Sequence, residues 1–105
     1  MRPADVRVEF ETIAWESPGP NVRFKAIRRN GVQLRLLEFS RGFIEHDWCS
    51  KKHIGYVLAG ELALEMPEGT VRVREGEGIV LSGPDAKHKA TALTDTVTVF
   101  LVEDA

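Results

Sequence analysis

Apolar and polar residues alternate one by one along most of this 105-residue chain, and that rhythm leaves room for little except strands. Val6, Val8 and Phe10 alternate with Arg7, Glu9 and Glu11. Val22, Phe24 and Ala26 alternate with Arg23 and Lys25, and Val32, Leu34 and Leu36 with Gln33 and Arg35. The pattern returns in Leu62, Leu64 and Met66, in Val71 and Val73, and in Val97, Val99 and Leu101. A period of two sends successive side chains to opposite faces of an extended chain, so each run predicts a strand with one buried face. No stretch of ten or more residues carries a helical stripe.

Turn residues fall between the runs. Asn30-Gly31 suits a type I′ turn, which needs positive φ at both central residues. It predicts a hairpin joining a strand over 22–29 to one over 32–39. Glu68-Gly69 closes a strand over 61–66 onto one over 70–74. Ser17-Pro18-Gly19-Pro20 and Gly76-Glu77-Gly78 read as loops. Eight or nine short strands in about 100 residues predict an all-β sandwich or small antiparallel barrel. The length allows one domain, residues 1–105.

Charge narrows the partners. The formal net charge is -2, and the basic pairs Arg28-Arg29 and Lys51-Lys52 are short. Phosphate recognition needs concentrated Lys and Arg, so no nucleic-acid partner is expected. No apolar run approaches the ~20 residues of a membrane helix, so no membrane association is expected either. The first twenty residues carry Arg2, Asp5, Arg7, Glu9, Glu11 and Glu16, unlike a signal peptide. The single cysteine, Cys49, cannot form an internal disulfide, and a cytoplasmic setting is expected.

Chemistry concentrates in the segment from Glu45 to His53, which holds His46, Asp47, Cys49 and His53. If 46–49 is extended, Asp47 and Cys49 share one face, and His46 and Trp48 share the other. The third histidine, His88, stands about 35 residues later between Lys87 and Lys89. Taken singly, a strand histidine is usually structural, a free cysteine a small buried hydrophobe, and an aspartate a turn residue. Together, carboxylate, thiolate and imidazole make a workable ligand shell for a divalent transition metal.

The run from His53 through Gly55, Tyr56, Val57 and Leu58 to Gly60 resembles the end of the first cupin motif, G-x5-H-x-H-x3-4-E-x6-G. The run from Gly78 through Leu81 and Pro84 to His88 resembles the second, a glycine, five residues, a proline and then a histidine. The segment also resembles small single-domain cupins with a Trp-Cys-x-Lys-x-His-x-Gly-Tyr-Val pattern, here Trp48 to Val57. The resemblance implies a jelly-roll barrel with a metal between the two motifs. The family's glutamate falls at His53 and its second-motif histidine at His88. With the shorter spacing, its paired histidines fall at Asp47 and Cys49. With the longer one they fall at His46 and Trp48, and indole cannot ligate. The implied metal ligands are therefore Asp47, Cys49, His53 and His88. That set favours zinc, with nickel or copper next, whereas the family's own three-His, one-Glu set suits iron or manganese.

Two functions follow from the resemblance. One is a metal-dependent enzyme acting on a small molecule, the metal serving as Lewis acid or activator of water. The other is a metal-free barrel that binds or senses a small ligand, with the same side chains as polar lining. Lys51, Lys52, Lys87 and Lys89 flank both ligand groups and would attract an anionic molecule if they ring the pocket mouth. Tyr56 lies at an odd offset from His53 and should point away from the pocket. The apolar terminal strand over 6–13 predicts a homodimer by strand exchange or edge pairing.

Overall fold

The computed structural model describes residues 1–83 and 86–105. Pro84, the proline of the second motif, therefore lies outside the described residues. Nine strands are present among the described residues: β1 (Glu16–Gly19), β2 (Val22–Arg29), β3 (Val32–Ser40), β4 (His53–Ala59), β5 (Glu61–Met66), β6 (Gly69–Arg74), β7 (Gly78–Leu81), β8 (Lys89–Ala92) and β9 (Thr96–Asp104). Six form one sheet in the order β1-β2-β3-β9-β4-β7, and three form another in the order β6-β5-β8. Every pairing is antiparallel. The two inner faces enclose the core, as in a jelly roll, with Val57, Val97 and Val99 its most deeply buried side chains.

The expected hairpins form. Arg29 pairs with Val32 around Asn30 and Gly31, whose φ angles of 51° and 79° are those of a type I′ turn. Gly60 turns β4 into β5 at φ 79°, and a Cβ there would lie 2.1 Å from the Thr96 carbonyl oxygen. Backbone conformation and close packing both demand glycine at that corner.

The structure corrects two local expectations. No strand covers 6–13. Single 3-10 turns stand at Pro3–Asp5 and Phe10–Thr12, and the carbonyls between them take side-chain donors. Arg29 donates to the carbonyls of Asp5 and Arg7, and Lys25 to that of Phe10. Phe10 then packs edge-on against Phe100, 6.1 Å between ring centres, on the outside of the large sheet. Apolar alternation in this segment thus serves a strap laid over a sheet. The Ser17–Pro20 segment is not all loop, because Glu16–Gly19 pairs with β2 as an edge strand. An edge tolerates Pro18, which has no N–H to give.

Pairing also sets which residues line the interior. Across β3, β9, β4 and β7, Leu37 faces Val99 and Val57, while Arg35 faces Leu101, Gly55 and Ile79. One step further, Gln33 faces Glu103 and Leu81 faces His53, with Ile54 against Val102 just outside them. The interior of β3 is therefore the odd series Gln33, Arg35, Leu37 and Phe39, not the expected Val32, Leu34 and Leu36. Leu34 and Leu36 are half-buried on the outer face, where Leu36 pairs with the Phe100 that the strap covers. Rows near Phe39 are apolar, and on these four strands polarity enters the inner face at Arg35, Gln33, Glu103 and His53.

Candidate metal centre

Cys49 and His88 belong to no named strand, yet they form an antiparallel bridge. The N–H of each donates to the carbonyl of the other at 2.9 Å. Such a pair presents its two side chains on one face. His53 opens β4 beside them. Its Nε2 lies 3.8 Å from Cys49 Sγ, and its ring centre 5.0 Å from that of His88. Donor atoms of Cys49, His53 and His88 all lie within 4.8 Å of one another. Both histidines are buried and Cys49 is half-buried.

Outer contacts fix the rings. His88 Nδ1 lies 2.8 Å from the Ala86 carbonyl oxygen, which can only accept, so Nδ1 is the donor there and Nε2 is the nitrogen left to face Cys49 and His53. His53 Nδ1 lies 2.5 Å from Glu103 Oε2, by close approach rather than a well-directed hydrogen bond. Glu103 is itself held from two sides. Gln33 Nε2 donates to its Oε1 at 2.9 Å and Arg35 Nη2 to its Oε2 at 2.7 Å. Burial alone would push the Glu103 carboxyl up. His53, Gln33 and Arg35, with the Arg35 charge, outweigh burial and hold it at about 2. An ionised carboxylate against His53 Nδ1 leaves Nε2 free to face Cys49 and His88.

This donor set fits a zinc-like ion. One thiolate and two imidazoles with a fourth position open is a catalytic zinc arrangement. Donors around a tetrahedral ion stand roughly 3.5 Å apart, so the widest pair needs about 1 Å of side-chain movement to close. A carboxylate or carbonyl behind each ligating imidazole is the usual outer support.

The structure brings together three of the four expected ligands. Asp47 is exposed and stands outside the group, as does His46. Asp47 and Cys49 would share a face only on a continuous strand. Between the bridges at Ile44 and Cys49, residue 47 is a bend, and the period is lost. Tyr56 points outward as expected, 48% exposed. Of the four lysines, Lys51 lines the cavity, whereas Lys87 and Lys89 lean over the exposed Trp48 ring. Glu103, Arg35 and Gln33 escaped sequence reasoning. Extending the series Val97, Val99, Leu101 by one step would have reached Glu103.

The group opens onto a cavity of about 310 Å³ inside the barrel. Phe24, Leu37, Phe39, Phe43, Leu62 and Leu64 supply much of its wall. Among the described residues, Arg35, Glu45 and Lys51 are its charged lining besides the ligand group.

No protein-family model matches this chain, and no curated protein does. Solved structures do match. KdgF from Halomonas sp. superposes with a TM-score of 0.72 at 22% identity, over 90% of this chain and 91% of that one. A sugar phosphate isomerase of the cupin superfamily from Silicibacter pomeroyi gives 0.76 at 15% identity, over 94% and 75%. An RmlC-like cupin from Shewanella frigidimarina gives 0.76 at 15%, over 93% and 89%. The chain has the cupin fold, as its two motifs implied.

Proposed function

We propose that this protein binds one divalent transition metal, zinc by preference, through Cys49, His53 and His88, and uses it on a small anionic molecule held in the barrel. The observation that carries this reading is the convergence of three ligand atoms within 4.8 Å at the edge of a cavity. A bound ion with an open position would supply Lewis acidity or an acidified water. The chain's own residues do the rest. Glu103 holds the His53 ring, Ala86 holds the His88 ring, and the apolar wall excludes water. Arg35 and Lys51 draw a negatively charged molecule inward. A fold neighbour, the Silicibacter pomeroyi protein, is a sugar phosphate isomerase, which supports a small-molecule role.

Metal analysis of protein purified without chelator tests the reading. Near one equivalent of metal is expected. Less than about a tenth of an equivalent would overturn it, because a folded site of this kind retains its ion. A metal-free barrel that still binds small molecules unaltered would instead be a binding or sensing module. Turnover in a substrate screen run with and without metal separates the two.

We also propose a homodimer in the cytoplasm. Strand exchange over 6–13 is not its basis, since no strand forms there. Ile54, Tyr56, Leu58, Val80 and Val102 are exposed on the outer face of β4, β7 and β9. A continuous apolar patch of that kind favours association. A monomer by light scattering at about micromolar concentration would count against it. No helix among the described residues is long and apolar enough to cross a membrane.

A further inference from the structure

We infer that the molecule held in the barrel is a small monocarboxylate with an apolar body, and that Arg35 is its anchor. This rests on reading the cavity as a small-molecule site, not on the metal.

Arg35 is out of place among its neighbours. It stands on the inner face of β3 in a row with Leu101, Gly55 and Ile79, one row from the fully apolar Leu37, Val99 and Val57. Supporting Glu103 needs only part of a guanidinium. That task takes Nη2, at 2.7 Å from Oε2. A guanidinium has five N–H groups in a planar fork. Arg35 Nε is occluded and has no partner, and Nη1 donates to nothing among the described residues. Unpaired N–H groups of a cation inside a barrel are unfavourable, and an incoming acceptor relieves them. The residue lines the cavity.

Charge and shape specify the acceptor. Glu103 already takes part of the Arg35 charge. Lys51 is a second cation on the lining, and Glu45, the acid there, has its Oε1 committed to the Ala90 N–H. Among the described residues two cations thus face two carboxylates, which leaves no excess positive charge for a phosphate dianion and suits a ligand with a single charge seated on the open guanidinium edge. A carboxylate also matches the guanidinium edge in plane. About 310 Å³ of mostly apolar space then receives a compact apolar body. Arg35 and His53 touch the same Glu103 oxygen, so a carboxylate on Nη1 lies beside the ligand group.

Benzoate, butyrate, benzamide and inorganic phosphate are the probes. Each is titrated into protein as purified and, in parallel, after chelator treatment. The readouts are calorimetry and the NMR signal of the Arg35 Nε–H. A carboxylate is expected to bind at least about tenfold tighter than the neutral benzamide and to shift the Arg35 signal. Arg35→Lys leaves Glu103 a cation but loses the planar fork, and should weaken carboxylate binding about tenfold while the protein stays folded by circular dichroism. Four outcomes would overturn the assignment: benzamide binding equal to benzoate, Arg35→Lys binding like the parent, phosphate binding tighter than either carboxylate, or no carboxylate binding by about 10 mM. Failure of the metal reading registers separately, as absence of an ion from untreated protein.

Discussion

Glu103 Oε2 lies 2.5 Å from His53 Nδ1, which ties the last turn of polarity on β9 to the first residue of β4. The carboxylate sets which nitrogen of His53 faces Cys49 and His88. Glu103→Gln keeps the shape but removes the negative charge. Outer-shell changes of this kind typically cost about 10–100-fold in metal affinity. That loss should appear in competition with a chromophoric chelator, and unchanged affinity would refute the positioning role. The variant should also unfold at lower temperature without metal, because Arg35 would be left without its anionic partner.

The same carboxylate predicts an acid limb of stability. Its ordinary value is 4.5 and its folded value about 2, so between those pH values the unfolded chain binds the extra proton. A depressed carboxylate contributes fully above the unfolded value and is lost as pH falls through the folded one. The contribution is on the order of 3 kcal/mol at neutral pH. Chemical denaturation of metal-free protein should show it disappearing from pH 4.5 down to about 2. The Glu103→Gln variant should lack that component, and parallel pH curves for the two proteins would exclude the assignment.

Ligand substitutions should divide by geometry. Cys49→Ser and His88→Ala each remove one of three converging donors. Each should lower metal occupancy about tenfold or more. Asp47 is exposed and outside the group, so Asp47→Asn should leave occupancy unchanged. Metal content of the three purified variants decides it. Occupancy that falls only with Asp47→Asn would move the centre to another cluster.

How much of this was legible in the sequence follows from which signals are local. Period-two runs and turn residues are local, and they placed β2, β3, β5, β6 and β9 and the Asn30-Gly31 hairpin. Which face of a strand turns inward is not local. On β3, apolar residues occupy both series, and on the outer one Leu36 pairs with the Phe100 that the strap carrying Phe10 covers. That Cys49, His53 and His88 come together was legible through motif spacing. Asp47 stands apart from them because the chain bends at that residue, which spacing along a sequence does not reveal. Arg35 and Glu103 were invisible for a different reason. A charged residue inside a barrel looks in sequence like any solvent-facing strand residue until its partner across the sheet is known.

Gly55 offers a test of how tightly the sheet holds the centre. It lies on β4 two residues from His53 and opposite Leu101. A Cβ at Gly55 would stand 2.3 Å from the Phe100 carbonyl oxygen and 2.6 Å from Leu101 Cδ2. Leu101 could turn aside, but the Phe100 carbonyl belongs to the backbone of β9 and cannot. Gly55→Ala must therefore push β4 away from β9. Overpacking of this kind costs about 1–3 kcal/mol, more where backbone is displaced. The same displacement carries His53 off Glu103 Oε2, so metal affinity should fall together with stability. Denaturation and chelator competition on one preparation report both. Stability lost with affinity intact would mean that His53 is placed by its own loop and not by the β4–β9 pairing.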